Sequence, residues 1–414
     1  MSLKHRPAAG SAERADHAVD GIRPMFVVGG LYSLANGVAW IMRDLAAALG
    51  RAGAPVSVYA ADCWGRGAAS VGYLFEPPTH WVSAKGLWLG GLSWSPSLKS
   101  LMRGGVAESD VVHTHSMWML PNSYACRLAG KAKKPVVMTN HGNLEPWAVG
   151  RSAWKKRIVG TAFQDRDLHR ADCIHVNTDS EVAGIRRYGL RCPVAVIPNG
   201  IHLPEFEQLP GRERFDEIVP ATQGKRVALF MARLHQKKGL GHLIPAWSKA
   251  VRESPDWHLV IAGPDDGFER SARTLVDEWQ CADHVTFCGR LDGGDRSAAL
   301  SAAELFVQPS FSEGFSMSIL EALACRLPVL MTPGCNFAAA AEANAALLVE
   351  PHVDATTEGL RQLTSMSETG LRAMGERGYE LITASYTWDR VAQQTLQLYD
   401  WLIHRGTTPD FIRS

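Results

Sequence analysis

The feature that most constrains this chain is a regular alternation between short apolar runs and segments of helix length. In the first half the runs are rich in valine and isoleucine and have strand length. They are PMFVV, PVSVYA, DVVHTH, PVVMT, CIHVN and VAVIP, and they lie between Pro24 and Pro198. Because near-continuous apolar runs are typical of strands buried on both faces, the pattern predicts a parallel sheet covered by helices.

The same alternation starts again after a polar, proline-bearing stretch, with RVALFMA, WHLVIAG, HVTFCG, ELFVQPS and PVLMT. A chain of 414 residues exceeds what one core usually organises, so we predict an α/β protein with two Rossmann-like, doubly wound domains. Ligands of such sheets bind at the carboxyl ends of the strands, which places the active site in a central cleft. The predicted segments are a disordered tail (1–22), a first domain (23–205), a linker (206–224), a second domain (225–385) and a C-terminal helix (386–414).

Composition and charge exclude several classes of protein. The formal net charge at pH 7 is +1, which leaves no overall field to attract nucleic acid, so we expect no such partner. The 8 cysteines include no C-x-x-C pair, so we predict neither a disulfide framework nor a zinc site. No apolar stretch suits a signal peptide or a membrane-spanning helix. We therefore expect a cytoplasmic protein whose membrane contact is peripheral, on the inner face of the plasma membrane.

The most specific motif is SEGFSMSILEALACRLPVL, from Ser312 to Leu330, in which seven residues separate Glu313 from Glu321. The apolar spacing predicts a helix that begins near Ser316. Unpaired N–H groups and the positive dipole end at a helix start attract a diphosphate, and Gly314 permits close backbone approach. The two carboxylates can accept hydrogen bonds from sugar hydroxyls without a metal ion.

A second motif, MARLHQKKGL, follows the first strand of the second half. Arg233 and Lys238 lie on its connection into the next helix. Two cations there can neutralise a diphosphate and stabilise it as a leaving group. We interpret Lys237 as a solvated neighbour.

Histidines mark two strands of the first half. His141 follows the strand PVVMT in the segment THGNLEPW, so we expect its side chain at a carboxyl end of the sheet, facing the cleft. His113 and His115 alternate on another strand and share a face. No third ligand is evident beside them, so we predict no metal site.

Glycines surround the turn after the first strand. Gly29 and Gly30 end that strand, and Asn36 and Gly37 precede the first helix. Glycine at such a turn lets the backbone approach a phosphate or a sugar, whereas a plain turn with Asn36 as the helix cap explains the same residues. Both interpretations stay open.

These motifs and their order resemble the retaining glycosyltransferases of family 4, which have the GT-B fold and paired glutamates at this spacing. The resemblance covers nearly all of the chain from Pro24 onward. It implies that Glu313 holds the hydroxyls of the donor sugar and Glu321 the ribose, while Arg233 and Lys238 hold the diphosphate. It also implies an acceptor site in the first domain, and a last helix that crosses back to that domain.

The resemblance assigns further contacts to the nucleotide sugar. Backbone near Arg290 would bind the base, and His141 is similar to a family histidine that contacts the donor sugar. The sequence departs from the family where Ser316 replaces a common glycine, and where TPGCNF (Thr332 to Phe337) continues with three alanines in place of Pro and Glu. The turn residues expected to contact the sugar and phosphates are Gly314, Phe315, Ser316 and Met317; Gly30, Asn36 and Gly37 are expected to line the cleft.

The family implies retention by front-side attack, in which the departing phosphate takes the acceptor proton, so no protein nucleophile and no cofactor is expected. The implied reaction moves a hexose-type sugar from a UDP- or GDP-linked nucleotide diphosphate sugar to a saccharide or lipid-linked saccharide, in polysaccharide or glycolipid biosynthesis. Two alternatives stay open: a nucleotide-sugar epimerase of the same fold, and a non-catalytic scaffold that binds nucleotide sugars.

The acceptor side is less specific in sequence. We assign Trp118, Asn143 and Trp88 to acceptor contacts. The aromatic residues Trp81, Trp88 and Trp94 can stack on acceptor sugars or simply pack a loop.

Positive charge is concentrated in two segments of the first half, from Arg151 to Arg170 and from Lys131 to Lys134. Trp154, Ile158 and Phe163 supply an apolar edge beside it. Such segments can lie on an anionic membrane surface, or can be solvated helix faces.

Overall fold

The structure is a computed structural model that describes residues 21–30, 37–63, 75–89, 91–144 and 153–414. Asn36 and residues 1–20 of the predicted tail lie outside these ranges. The strands of the first half are β1 (Pro24–Val28), β2 (Ser57–Asp62), β3 (His80–Lys85), β4 (Val111–His115), β5 (Val136–Thr139), β6 (Cys173–Val176) and β7 (Val194–Val196). Its helices are α1 (Gly37–Arg51), α2 (Pro96–Glu108), α3 (Leu120–Ala132), α4 (Ala153–Val159), α5 (Asp165–Arg170) and α6 (Asp179–Arg187).

The second half repeats the alternation and ends with a helix and a short strand. Its strands are β8 (Arg226–Met231), β9 (Trp257–Ala262), β10 (Val285–Gly289), β11 (Leu305–Gln308), β12 (Val329–Met331) and β13 (Ala346–Leu348), followed at the C-terminus by β14 (Ile412–Arg413). The helices are α7 (Arg212–Ile218), α8 (Leu240–Val251), α9 (Glu269–Glu278), α10 (Gly293–Ala302), α11 (Met317–Ala324), α12 (Ala338–Glu342), α13 (Val353–Thr364), α14 (Glu368–Ser385) and α15 (Trp388–His404).

Each half contains one sheet. Within the described ranges, the first sheet has the strand order β14-β7-β6-β5-β4-β1-β2-β3, and β14 pairs antiparallel with β7 while the other pairs are parallel. The second sheet has the order β10-β9-β8-β11-β12-β13 and its described pairs are parallel. The predicted pair of doubly wound sheets is therefore confirmed.

Burial on both faces explains the apolar runs. Every residue of β1, β4, β5, β9 and β11 is buried. Successive residues of β1 enter different cores, since Phe26 packs in one cluster with Met42 of α1, and Met25 packs in another with Met102 of α2. A parallel sheet with helices on both sides leaves little room for polar residues within its strands.

The strand order reverses between β1 and β4 in the first sheet, and between β8 and β11 in the second. Ligands of doubly wound folds bind outside the carboxyl ends of the strands at these reversals. The motif residues of the second half follow β8 and β11, and His141 follows β5, which pairs with β4. The fold thus places the predicted site residues at the expected edges.

The chain passes between the halves at two adjacent points. Ile201 and Thr387 form an isolated parallel bridge, and the Ile201 N–H donates to the Tyr386 carbonyl at 2.8 Å. Helix α15 then packs into the core of the first half, where Leu398 lies in the same cluster as Phe26. The C-terminal helix therefore belongs structurally to the first half.

The stretch predicted as a linker, 206–224, is packed. It holds α7 and a 3-10 turn at Pro220–Thr222. Phe215 is fully buried and joins the core of the second half together with Ile201. Polar and proline-bearing composition concealed this short helix, because Phe215 and Ile218 are its only apolar residues. Ile22, within the predicted tail, is likewise buried, in the core of the first half.

Candidate active site

A buried ion pair lies at the strand reversal of the second sheet. Lys238 ends a 3-10 turn at Gln236–Lys238, and its Nζ lies 2.6 Å from Oε1 of Glu313. Glu313 is only 6% exposed. The two motifs of the second half therefore converge on one carboxylate.

Lys237 joins the same cluster, so the interpretation of this residue as a solvated neighbour is wrong. Its Nζ lies 3.9 Å from Oε2 of Glu313, and its side chain is 20% exposed. Burial lowers the pKa of Lys237. Both lysines lie in one tight turn, which brings both amines to the same carboxylate. The sequence alone does not show the shape of this turn, so the contact of Lys237 was missed.

The turn that carries Glu313 is fixed from both sides. The Glu313 N–H donates to the Gly334 carbonyl at 2.7 Å, and Asn336 Nδ2 donates to the Glu313 carbonyl at 2.6 Å. Gln308 Nε2, at the end of β11, donates to Oε1 of Glu313 at 3.2 Å. The TPGCNF loop thus supports Glu313 through its backbone and Asn336. Sequence reasoning missed both residues, although Gln308 ends β11 and Asn336 lies in the loop that follows β12.

Ser316 is the N-cap of α11. Its hydroxyl accepts from the Ile319 N–H at 3.4 Å and donates to Oε1 of Gln308 at 2.9 Å. The helix begins at Met317, which confirms the predicted start near Ser316. Because the Ser316 hydroxyl is already engaged, a ligand at this turn would meet backbone N–H groups.

The side chains next to Ser316 serve packing. The Phe315 ring lies 5.1 Å from the Phe337 ring and 6.2 Å from the Tyr386 ring, measured between centroids. Met317 packs against the core of the second half. Gly314 has no side chain to obstruct a ligand. This turn therefore contributes to the site mainly through its backbone.

Glu321 pairs with Arg296 of α10, a partner that sequence reasoning did not find. Burial raises the pKa of Glu321, and the adjacent Arg296 partly counters that shift by stabilising the carboxylate. The Glu321 side chain is mostly buried. Neither glutamate of the motif thus lies on a solvated helix face.

Arg233 does not join the pair between Lys238 and Glu313. Its guanidinium forms an ion pair with Asp266, and more than half of the side chain is exposed. Arg290 is equally exposed and pairs with Asp292 at 2.8 Å. To bind the diphosphate, Arg233 would have to exchange the Asp266 carboxylate for a ligand phosphate, whereas Lys238 is held beside Glu313 before any ligand binds.

The two halves meet at His141 and Gly314. His141 follows β5 in a left-handed conformation with φ 50°. A Cβ atom built on the next residue, Gly142, would lie 3.3 Å from the Cα of Gly314. Nε2 of His141 lies 3.3 Å from Nδ1 of His115. Burial, aided by repulsion from His175, lowers the pKa of His141 to about 3, so the ring is neutral at physiological pH.

His113 and His115 share a face of β4, as predicted. Their rings stack with centroids 4.4 Å apart, and burial lowers the pKa of both well below the ordinary histidine range. His113 is hydrogen bonded to Tyr399 and Thr139 at 2.6 Å each. Within the described ranges, no group of three or more His, Cys, Asp or Glu side chains could hold a metal ion.

The acceptor candidates are distributed along the first sheet. The backbone N–H of Trp118 donates to Oε1 of Gln164 at 2.7 Å, and Asn143 Nδ2 donates to the Asn140 backbone carbonyl at 2.6 Å. These two candidates follow the paired strands β4 and β5, whereas the exposed Trp88 follows the edge strand β3.

The other two tryptophans of this region differ in their packing. Trp81 lies within β3 and stacks on Phe75 with centroids 4.9 Å apart, so its ring packs against the protein. Trp94 is exposed, as is Trp88.

The glycines after β1 have different surroundings. A Cβ atom on Gly29 would lie 1.8 Å from the sulfur of Met119, so packing requires glycine at this position. Gly30 is buried, and Gly37 begins α1 with open space around its Cβ position. Asn36, expected to line the cleft, is outside the described residues.

We use the name basic face for helix α4, with Lys155, Lys156 and Arg157, together with the cation-lined groove given below; α4 also carries two exposed apolar side chains. Trp154 and Ile158 of α4 are 66% and 60% exposed, whereas Phe163 is buried and is not part of the predicted apolar edge. No described helix has the length and apolar character needed to cross a membrane. The cations that line one groove of this face are Lys99, Arg103, Arg127, Lys131, Lys134, Arg166 and Arg170.

Two family models match the chain in the order of its two sheets. The model Glycosyltransferase Family 4 matches residues 35–204, and the model Glycosyl transferases group 1 matches residues 211–381. The second match contains the motif residues from Arg233 to Glu321, and the first contains His141.

The chain matches two curated relatives over part of their length. One component of the human phosphatidylinositol N-acetylglucosaminyltransferase is 28% identical over 295 residues, which is 70% of this chain and 57% of that protein. D-inositol 3-phosphate glycosyltransferase of Salinispora tropica is 27% identical over 330 residues, which is 73% of this chain and 66% of that protein. The chain thus spans less than two thirds of the length of these relatives.

A solved structure shares the fold over nearly its whole length. Anabaena HepE, in complex with UDP and glucose, superposes with a TM-score of 0.71 at 15% identity and covers 91% of this chain and 99% of that chain. Likeness at this identity shows the shared fold. The two-domain arrangement expected from the sequence is therefore confirmed.

Proposed function

Since the chain belongs to the glycosyl transferases of group 1 and family 4, we propose that it is a retaining, metal-independent hexosyltransferase. It takes a hexose-type sugar from a UDP- or GDP-linked donor and transfers it to a saccharide or lipid-linked saccharide. The observation that carries this proposal is the buried ion pair between Lys238 and Glu313, at the carboxyl edge of the second sheet, beside the contact between Gly142 and Gly314.

The ion pair suits binding of a neutral sugar. Lys238 compensates the charge of Glu313, and the carboxylate keeps lone pairs that can accept hydrogen bonds from sugar hydroxyls. The backbone N–H groups at the start of α11, with Lys238 and Arg233, suit the diphosphate. Glu321 would bind the ribose, and in doing so would share or exchange its contact with Arg296. The solved HepE complex, which contains UDP and glucose, supports a nucleotide-sugar donor.

The proposed reaction is a front-side displacement at the anomeric carbon. The acceptor oxygen forms a bond to that carbon, the bond from the carbon to the donor phosphate oxygen breaks, and the acceptor proton passes to the departing phosphate oxygen. The nucleoside diphosphate leaves with the bonding electron pair. Lys238 and Arg233 stabilise the charge that develops on it, so the step requires neither a protein nucleophile nor a metal ion.

The proposed location of the acceptor is the first half, near Trp118 and Asn143. We also place the protein on anionic membrane, at the cytoplasmic face, through the basic face and the exposed Trp154 and Ile158. The name of the human relative, which includes phosphatidylinositol, supports a lipid-linked acceptor. This arrangement would serve glycolipid or polysaccharide synthesis.

The decisive experiment measures release of nucleoside diphosphate from UDP-, GDP- and ADP-sugars without added metal, with and without an acceptor panel. We expect turnover of one donor by the wild type, a loss of about tenfold or more in Glu313→Ala, and no loss in Glu278→Ala, which changes an exposed glutamate of α9. Conversion of the donor to its epimer without transfer would favour the epimerase. Binding without turnover of any donor would favour the scaffold.

A further inference from the structure

A continuous chain of buried hydrogen bonds joins the last helix of the protein to three strands of the first sheet. The Tyr399 hydroxyl lies 2.6 Å from Nδ1 of His113, and Nε2 of His113 lies 2.6 Å from the Thr139 hydroxyl. That hydroxyl lies 2.9 Å from Nδ1 of His175, and Nε2 of His175 lies 2.8 Å from the Ile197 carbonyl oxygen. We name this chain of groups the Tyr399 relay.

The relay has one direction. The Ile197 carbonyl can only accept, so His175 carries its proton on Nε2 and its Nδ1 accepts from Thr139. Thr139 then accepts from the Nε2–H of His113, and Nδ1 of His113 accepts from the Tyr399 hydroxyl. Burial lowers the pKa of His113, and it lowers the pKa of His175 to about 4, which keeps both rings in the neutral form that this pattern requires.

Two contacts connect the relay to His141. His113 stacks on His115, and Nδ1 of His115 lies 3.3 Å from Nε2 of His141. Thr139 ends β5, two residues before His141. The relay therefore fixes both the ring that His141 contacts and the strand end from which His141 projects.

The proton position on His141 follows from its neighbour. Nε2 of His115 is buried and has no hydrogen-bond partner among the described residues. A buried unpaired N–H is rarer than a buried unpaired acceptor, so His115 carries its proton on Nδ1 and donates it to Nε2 of His141. The neutral His141 then carries its own proton on Nδ1, as a hydrogen-bond donor for a ligand.

We propose that the Tyr399 relay positions His141 at the contact between the halves, with Nδ1–H as the group offered to the bound sugar. This role rests on the proposed function. Tyr399, His113, Thr139 and His175 act as positioning residues, because their contacts are with protein groups. The relay begins at Tyr399 on α15, the helix that returns from the second half, and ends at Ile197, four residues before the crossing at Ile201. It therefore connects His141 to both segments through which the chain passes between the halves.

The first test uses nitrogen NMR of the full chain with labelled histidine, and it does not depend on activity. In the wild type and in Thr139→Ser, which keeps the hydroxyl, we expect His113 and His175 protonated at Nε2 and His141 at Nδ1. In Thr139→Val the middle link is lost, and the His141 signals should shift. A different tautomer of His113 or His175 in the wild type, or unshifted His141 signals in Thr139→Val, would overturn the proposal.

The second test compares kcat with the donor KM for the donor that the wild type turns over. We expect Thr139→Val and Tyr399→Phe to lower kcat about tenfold with KM changed less than about twofold, and Thr139→Ser to retain most of kcat. Tyr188→Phe is the matched control, since its hydroxyl donates to Asp165 at 2.7 Å elsewhere in the first half; its kcat should not change.

The outcomes of the second test are distinct. An equal fall in kcat in Thr139→Ser and Thr139→Val would overturn the positioning role. A rise in the donor KM with kcat unchanged would overturn it as well. A fall in kcat in Tyr188→Phe equal to that in Tyr399→Phe would show that the relay contributes only to general stability. That result would also overturn the positioning role. A wild type that turns over no donor would refute the proposed function, and the NMR test would still decide whether the relay sets His141.

Discussion

Gly142 of the first half and Gly314 of the second approach so closely that a Cβ atom built on Gly142 would lie 3.3 Å from the Cα of Gly314. Gly142 also has φ 74°, a region that favours glycine. The backbones on the two sides of the cleft thus touch next to His141 and Glu313. A side chain at Gly142 would act on the approach of the two halves and leave the proposed donor site within the second half intact.

We predict that Gly142→Ala lowers kcat about tenfold or more and leaves the dissociation constant of the donor within about threefold of wild type. Gly189→Ala is the control, since Gly189 also has positive φ, 94°, but open space at its Cβ position. Left-handed strain of about 1–2 kcal/mol is common to both variants. Measurements of kcat and of donor binding by calorimetry separate the two effects, and equal kcat losses in both variants would contradict the prediction.

Removal of Lys238 should cost both stability and turnover. In Lys238→Ala the nearly buried Glu313 loses its closest cation and retains Lys237 at 3.9 Å. An unpaired buried charge costs about 3 kcal/mol, so we expect a lower free energy of unfolding in urea, and turnover reduced about tenfold or more.

The double variant Lys238→Ala, Glu313→Ala tests the cause of that instability. It should recover part of the lost stability, because it removes the stranded charge together with its partner. Lys249→Ala breaks an exposed pair with Asp354 and should leave stability and turnover unchanged. A double variant less stable than Lys238→Ala would show that the pair is not the source of the effect.

Buried neutral histidines make stability depend on pH. The pKa of His141 is lowered to about 3 and that of His175 to about 4, against about 6.5 in an unfolded chain. Between these values the unfolded chain binds more protons than the folded one, so the free energy of unfolding falls as pH falls from about 6.5 toward about 4. Each such histidine contributes up to about 1.4 kcal/mol per pH unit.

Urea unfolding at about pH 7, 6 and 5 measures this slope. We expect His175→Gln to have a shallower slope than wild type, by up to about 1.4 kcal/mol per pH unit, and a lower stability near pH 7 because the Tyr399 relay is cut. An unchanged slope in His175→Gln would mean that this ring is not held neutral.

The sequence predicted the parts of the site that topology alone brings together. Lys238 and Glu313 each follow a strand of the second sheet, and parallel strands present their carboxyl ends at one edge, so spacing and order sufficed to place them together. Phe215 shows the opposite case. Helix α7 has only two apolar residues, Phe215 and Ile218, and is too short for a periodic signal, so the stretch at 206–224 resembled a linker.

The ion-pair and hydrogen-bond partners of the site residues could not be predicted from the sequence. Arg296 and Glu321 lie on different helices, and Tyr399 and His113 are 286 positions apart, so each contact depends on how elements pack in three dimensions. Charge and residue type limit the choice of partner but do not single one out. The motif therefore identified the carboxylates, and only packing identified the groups that neutralise and orient them.

The basic face leads to a prediction about membranes. Trp154 and Ile158 lie one helical turn apart on α4 and are both strongly exposed, and Lys155, Lys156 and Arg157 lie between them in the sequence. Insertion of two apolar side chains should add to the attraction between cations and anionic lipid. We expect co-sedimentation with phosphatidylserine-containing vesicles, weaker binding to phosphatidylcholine vesicles, and a steep loss of binding as salt rises.

The double variant Trp154→Ser, Ile158→Ser should reduce vesicle binding about tenfold. The control Leu348→Ser, which changes an exposed apolar residue of the second half, should not. Equal binding to neutral vesicles, or no loss in the double variant, would identify this face as a solvated helix surface.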